Sequence, residues 1–260
     1  MDPDQALRVE RHTAEWFRAQ DIVPAAEVHD DPDVVWIVQP GSAWGNAGVM
    51  VRLSASNAGD RLNVMIERYR RNGAGMGLWV SPHATPAGLI AWLKERRLHC
   101  RKHFPAMMRT KHDRAALRRV PGLTYRAIDD PSEFLETPHP SIGPITTPKR
   151  RYALTRLGAL TAQRPQTTWG FIASLDGRPV GSSLLFLGSE CAGLHDLTVR
   201  EDHRSRGIGS ALLEHTWRAA VDLGASSMAL LATSDGQRVC ERCGFDEVAR
   251  FGYWYRSFQR

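Results

Sequence analysis

A chain of 260 residues with 42% hydrophobic and 24% charged side chains has the composition of a folded globular protein, long enough for one large domain or two small ones. Its apolar runs, such as "SSLLFLG" around Leu184, fall well short of the roughly 20 residues of a membrane span. The charged amino terminus "MDPDQALRVERHT" lacks the apolar core of a secretory signal, so a cytoplasmic protein without membrane contact is expected. The net charge of +6 suits an anionic ligand. Arginine is spread along the chain without a basic stripe interleaved with aromatics, which argues against a nucleic-acid partner.

The opening stretch "QALRVERHTAEWFRAQ" predicts an amphipathic helix marked by Leu7, Val9, Ala14 and Phe17. "DVVWIVQ" and "AGVMVRLS" read as strands. "AGDRLNVMIERYRRNGA" reads as a helix, with Leu62, Met65, Ile66 and Tyr69 at three- and four-residue steps and Gly73 and Gly75 behind it. "GLWVSP" reads as a short buried strand. "TPAGLIAWLKERRL" reads as a helix with Thr85 at the N-cap and Pro86 at its first position. The basic cluster "LKERRLHCRKHF" around Arg96 to His103 reads as the solvated end of that helix, and "HFPAMMRT" as a strand.

A second series begins at "GLTYRAID", a strand with Leu123, Tyr125 and Ala127 on one face. Between residues 131 and 148 lie five prolines, which read either as a surface crossing or as a mobile rim over a cleft. "ALTRLGALTA" continues as a helix, and "TTWGFIASLDGRPVGSSLLFLG" is a hairpin turning at Asp176-Gly177. "CAGLHDLTV" is a strand. The helix "GIGSALLEHTWRAAVDLG" carries a stripe of Ile208, Leu212, Thr216, Ala219 and Leu223 and ends at Gly224. "SMALLAT", "DGQRVCERCG" and "DEVARFGYWYR" follow as strand, short helix and strand. The order of elements therefore repeats, with a boundary near residues 114–122 and domains expected at 1–118 and 119–260.

Four cysteines invite a disulfide reading, but the chain is too long and too signal-free for a secreted disulfide scaffold. Cys240 and Cys243 form a lone C-x-x-C without a second ligand pair, at the end of a helix rather than the start of one. Free thiols and no metal are expected.

"HRSRGIGSALL", residues 203–213, joins two arginines to two glycines where a helix begins. A helix N-terminus presents unpaired N–H groups and about half a positive charge. Glycine lets an anion approach the backbone, and Arg204 and Arg206 can add charge-assisted bonds, so the turn reads as a pyrophosphate cradle. Leu212 stands where a dinucleotide fingerprint needs its third glycine, and no Gly-Lys-Ser/Thr of a P-loop follows.

Arg204-x-x-Gly207-x-Gly209 resembles the Q/R-x-x-G-x-G/A acyl-CoA motif of the GNAT superfamily of N-acyltransferases, and the resemblance extends over residues 192–255. It implies an α/β (α+β) fold of two GNAT-like domains, each a mixed, mostly antiparallel twisted sheet flanked by helices. The first domain resembles the degenerate lobe of tandem GNAT proteins, because "ASNAGD" stands where its cradle would be. The resemblance implies acetyl-CoA, or another acyl-CoA, as co-substrate and a primary amine of a small molecule or peptide as acceptor. Antibiotic modification or self-resistance is the setting such tandem lobes suggest. It places cofactor contacts at Leu197, Thr198, Val199, Arg204, Ser205, Arg206, Gly207, Ile208, Gly209, Ser210, Ser234 and Gln237.

For catalysis, the strand before the cradle offers His195 and Asp196 as bases. Period-2 alternation sends them to opposite faces, and Asp196 is expected to face the acceptor. The family's acid, a tyrosine four residues before a Gly-Phe pair, is replaced here by Cys240. A thiol can protonate a leaving thiolate, or Cys240 can simply fill the tyrosine's place, with Tyr253 as another donor. A non-catalytic acyl-CoA-binding or regulatory module is the alternative reading. The chain is expected to act as a monomer or homodimer.

Overall fold

The computed structural model describes residues 3–39, 46–110, 119–130, 148–163 and 166–258. The proline-rich stretch read as a crossing or a rim lies outside them, as does much of the boundary segment.

The first series runs α1 (Pro3–Arg18), β1 (Glu27–Asp31), β2 (Val34–Val38), β3 (Ala47–Val49), α2 (Ala58–Arg71), β4 (Met76–Val80), α3 (Leu89–Glu95) and β5 (His99–Arg109). The second runs β6 (Leu123–Ala127), α4 (Pro148–Gln163), β7 (Thr168–Leu175), β8 (Arg178–Leu187), β9 (Ala192–Val199), α5 (Ile208–Asp222), β10 (Met228–Leu231), α6 (Ser234–Arg242) and β11 (Asp246–Arg256). No described helix is long and apolar enough to cross a membrane.

All eleven strands form one sheet in the order β1-β2-β3-β4-β11-β5-β10-β9-β8-β7-β6. Its pairs are antiparallel except β3 with β4 and β9 with β10. The two series exchange strands at the centre: β5 lies between β10 and β11, and β11 lies between β4 and β5. Each half of the molecule is completed by a strand from the other. The junction is thus a run of backbone hydrogen bonds rather than two docked surfaces.

Helices α2 and α3 pack under the first half of the sheet, with Leu62, Met65 and Tyr69 against Trp36, Val38 and Leu78. On the same face of the second half, α5 packs Leu212, Leu213 and Trp217 against Ala173, Val180 and Leu185. The opposite face carries α1 and α4, where Trp16, Phe17, Leu157 and Leu160 bury Ile172, Leu184 and Phe186. Helix α1 crosses the junction, touching β2, β3, β5, β10 and β11. Arg8 and Arg11 hold Glu190, and Glu15 holds Ser189, so α1 is also tied to the turn between β8 and β9.

Three local expectations are corrected. Helix α3 begins at Leu89, not Thr85; Thr85 instead donates its backbone N–H to Val51 and its hydroxyl to Leu53. The basic cluster is not a helix end, since from His99 onward it is the first half of β5. The buried stripe of α5 runs through Leu212, Leu213, Thr216, Trp217 and Ala220, leaving Leu223 exposed, because two layers of sheet side chains widen the contact. Strand β1 had no distinct apolar signal: its residues "EVHDD" are half-exposed at the sheet edge.

Candidate functional site

The centre of the candidate site is the gap where β9 and β10 part. Among the described residues they pair only at Ala192–Met228 and Gly193–Ala229. Strand β9 then bulges. Ser182 pairs with Thr198 and Leu184 with His195, so β9 carries one residue more than β8 between those pairs, and Asp196 adopts φ +50°. Strand β3 is paired with β4 over two residues and is followed by Met50 at φ +57°, the same device in the first half.

The bulge corrects the expected alternation. His195 and Asp196 both reach the face covered by α1 and α4, while Leu194 and Leu197 pack toward α5. The His195 ring stacks on Trp16 at 4.3 Å between centroids and on His12 at 5.6 Å. Asp196 is ion-paired with Arg156 of α4, whose guanidinium lies 5.7 Å from the Trp16 ring. Trp16 and His12 come from α1, far from His195 in sequence, so no local spacing could have joined them to it. The close approach of α1 needs Gly193, where an added Cβ would stand 1.7 Å from the His12 Nε2.

Burial holds the His195 imidazole down to about 3, with the neighbouring His12 acting in the same direction and the Asp196 carboxylate opposing it. Burial holds His12 down to about 4. Both rings are therefore neutral at pH 7. Unfolded histidines titrate near 6.5, so below that pH the unfolded chain binds protons that the folded chain refuses. Stability is expected to fall as pH drops from about 6.5 toward 4, by up to about 1.4 kcal/mol per pH unit for each ring. Urea unfolding at pH 7.5, 6 and 5 measures this slope, and His12→Phe should reduce it.

Behind β9 the chain turns into α5. Ser205 and Gly207 take φ of +61° and +85°, and Gly207 is the N-cap with no side chain capping the helix. The helix ladder begins at Ala211 N–H to Gly207 O, which leaves the N–H groups of Ile208, Gly209 and Ser210 outside it. An added Cβ at Gly207 would meet only Val120 at 3.4 Å, and at Gly209 only Val199 and Val239 at 3.6 and 4.0 Å. Arg204 donates to Val199 O, and neither Arg204 nor Arg206 has an acidic partner among the described residues. A strained, bare and positively charged turn of this kind fits a pyrophosphate.

The remaining predicted residues spread around this turn. Leu197, Thr198 and Val199 border the gap on β9. Ser210 is buried in the first turn of α5, its carbonyl facing the Cys243 thiol. At the start of α6, Ser234 accepts a bond from Lys102 of β5, while Gln237 bonds Glu241 and Glu247. Cys240 lies apart from them, buried beneath α5 with Ile208, Leu212 and Phe245, and its thiol is pushed up to about 12 by burial. Its neighbours there are apolar core side chains. Tyr253 packs its ring over Gly77 between Trp79 and Phe104, away from the cradle. All four cysteines are free thiols.

The first half closes the corresponding places with its own chain. An added Cβ at Gly59, near the start of α2, would stand 2.9 Å from Trp92 and 3.0 Å from Arg96. Thr85 bridges Arg52 across the gap between β3 and β4. Indole, guanidinium and backbone thus fill the corresponding places in the first half.

Residues 130–245 match the sequence model of the Acetyltransferase (GNAT) family. No curated protein matches the chain in sequence. Among solved structures, a GCN5-related N-acetyltransferase from Kribbella flavida is similar with a TM-score of 0.67 at 14% identity, over 93% of this chain and 94% of that one. A tandem GNAT protein from the clavulanic acid biosynthesis pathway is similar with a TM-score of 0.61 at 15% identity, over 96% of both chains. A GCN5-related N-acetyltransferase from Sphaerobacter thermophilus gives 0.58 at 16% identity, over 90% of this chain and 76% of that one. The fold is the mixed, mostly antiparallel α/β arrangement that these structures share. The family match lies in the second half of the chain, while the likeness in fold to these structures extends over nearly all of it.

Proposed function

We propose that the protein is an N-acyltransferase that moves an acetyl or longer acyl group from acyl-CoA to a primary amine of a small molecule or peptide, using the second lobe alone for cofactor binding. We divide the lobes at residues 118/119, with β5 and β11 exchanged across that division. The observation that carries this reading is the uncapped start of α5 behind Gly207, flanked by Arg204 and Arg206. Ile208, Gly209 and Ser210 would hold the pyrophosphate through backbone N–H groups, with Ser205 shaping the turn. Leu197, Thr198 and Val199 would meet the pantetheine arm from one side of the gap, and Ser234 and Gln237 from the other.

Acyl transfer requires the amine to lose a proton and the developing oxyanion to be stabilised. Asp196, turned onto this face by the bulge, is the base we favour, since burial makes the neighbouring His195 ring a weak proton acceptor. Arg156 holds Asp196 on that face. Backbone N–H groups of β9 along the gap are the oxyanion donors. With Cys240 buried, the thiolate leaves without a neighbouring side-chain acid from that position. Antibiotic modification or self-resistance is one setting for such chemistry, and peptide modification is the other.

Calorimetric titration with acetyl-CoA tests the reading. One molecule is expected to bind per chain with a micromolar constant, and thiol release should follow with a panel of amines. Two sites would return cofactor binding to the first lobe, and none would remove the cradle. Binding without turnover on any amine would favour a regulatory acyl-CoA-binding module.

A further inference from the structure

The basic cluster at the start of β5 has no part in the reading above. Many of the described arginines have a carboxylate partner, among them Arg52, Arg61, Arg109, Arg156 and Arg250. Arg97, Arg101 and Lys102 have none among the described residues, and all three are exposed.

Their place in the sheet is unusual for exposed cations. The second half of β5 is paired on both sides, but β10 ends at Leu231 and the chain turns into α6 at Ser234. The last bond across is Ala232 N–H to Pro105 O. Beyond it, residues 99–104 pair with β11 alone among the described residues, leaving an open strand edge inside the sheet. Arg101 is the extra residue of a bulge, since Tyr253 pairs with Lys102 and Trp254 with Cys100. The parallel strands β9 and β10 both end on this side, so the cradle, the gap and the open edge lie at one end of the sheet. Lys102 stands at the mouth of the gap, its ammonium 3.1 Å from the Ser234 hydroxyl and 5.6 Å from the Phe104 ring centre.

We propose that this open half of β5 is the acceptor-docking edge and that it selects an acidic peptide segment whose amine enters the gap. An extended chain can add to a free strand edge through its backbone, and side chains beside the edge then set specificity. Arg101, over the Tyr255 ring, and Lys102, bonded to Ser234, offer positive charge without a carboxylate partner among the described residues, which favours carboxylates. The proposal rests on the acyl-transfer reading for the role of the gap, while peptide binding can be measured without turnover.

The probes are a short acidic peptide with a free amino terminus, its amide counterpart and its lysine counterpart, each labelled at the carboxyl end and followed by fluorescence anisotropy in the presence of CoA. The acidic peptide is expected to bind at least about tenfold more tightly than the amide one. Arg97→Glu/Arg101→Glu should abolish that preference and turn it toward the lysine peptide, with acetyl-CoA affinity unchanged. Equal binding of acidic and amide peptides overturns the proposal. So does a variant that loses acetyl-CoA affinity, because the two cations would then serve the cofactor. Failure of the wild type to bind acetyl-CoA would instead remove the cradle, and the peptide preference would stand or fall separately.

Discussion

Gly207→Glu is expected to lower acetyl-CoA affinity by more than about 100-fold. Two effects add. Gly207 has φ +85°, a conformation that costs an L-residue about 1–2 kcal/mol. The new carboxylate would also face the pyrophosphate, and two like charges about 4 Å apart near a protein surface repel by up to about 4 kcal/mol. Each 1.4 kcal/mol is a factor of about ten in the dissociation constant. Gly207→Ala carries the first effect without the second and should lose no more than about tenfold. Titration calorimetry on both variants separates them. Equal losses would mean that the turn is a backbone feature without an anion.

Glu214→Ala is expected to destabilise the fold by about 3–5 kcal/mol, which for a chain of this length is roughly 10 °C in melting temperature. Arg109 ends β5 and is 1% exposed, with Nη1 2.6 Å from the Glu214 carboxylate of α5 and its guanidinium 5.1 Å from the Trp217 ring. Removing the carboxylate takes this counter-charge from a buried cation, although Arg218 is relieved of a partner at the same time. Arg109→Met/Glu214→Leu removes both charges and should cost much less than Glu214→Ala. Thermal unfolding of the three proteins checks the order. Because β5 belongs to the first series and α5 to the second, a single cooperative transition in each would also reflect the strand exchange.

Much of the layout was legible locally. The 3.6-residue periods of α1 and α2, the Asp176-Gly177 turn and the glycine pair before α5 each depend on residues close in sequence, as do the helix termini at Gly207 and Gly224. The cradle was legible for the same reason: a helix N-terminus and its glycines are one continuous stretch. The repeat was legible as an order of elements, and Met50 and Asp196 bear it out with the same backbone irregularity in matching strands.

What local pattern misjudged was side-chain direction around the bulge. Period 2 holds only for an unbroken strand, and one extra residue at Asp196 brought it onto the face of His195. Strand order was also beyond reach, because either final strand can pair with either lobe and only the completed sheet selects the exchange. The sequence by itself determined most of the elements, the glycine turn before α5 and the repeated order of elements, since each is written in neighbouring residues. Only the tertiary structure decided that α1 lends Trp16 and His12 to His195, that Cys240 is buried, and that a basic stretch is an open strand edge. Those depend on contacts between segments separated by tens to hundreds of residues, where packing and backbone pairing, not local propensity, set the outcome.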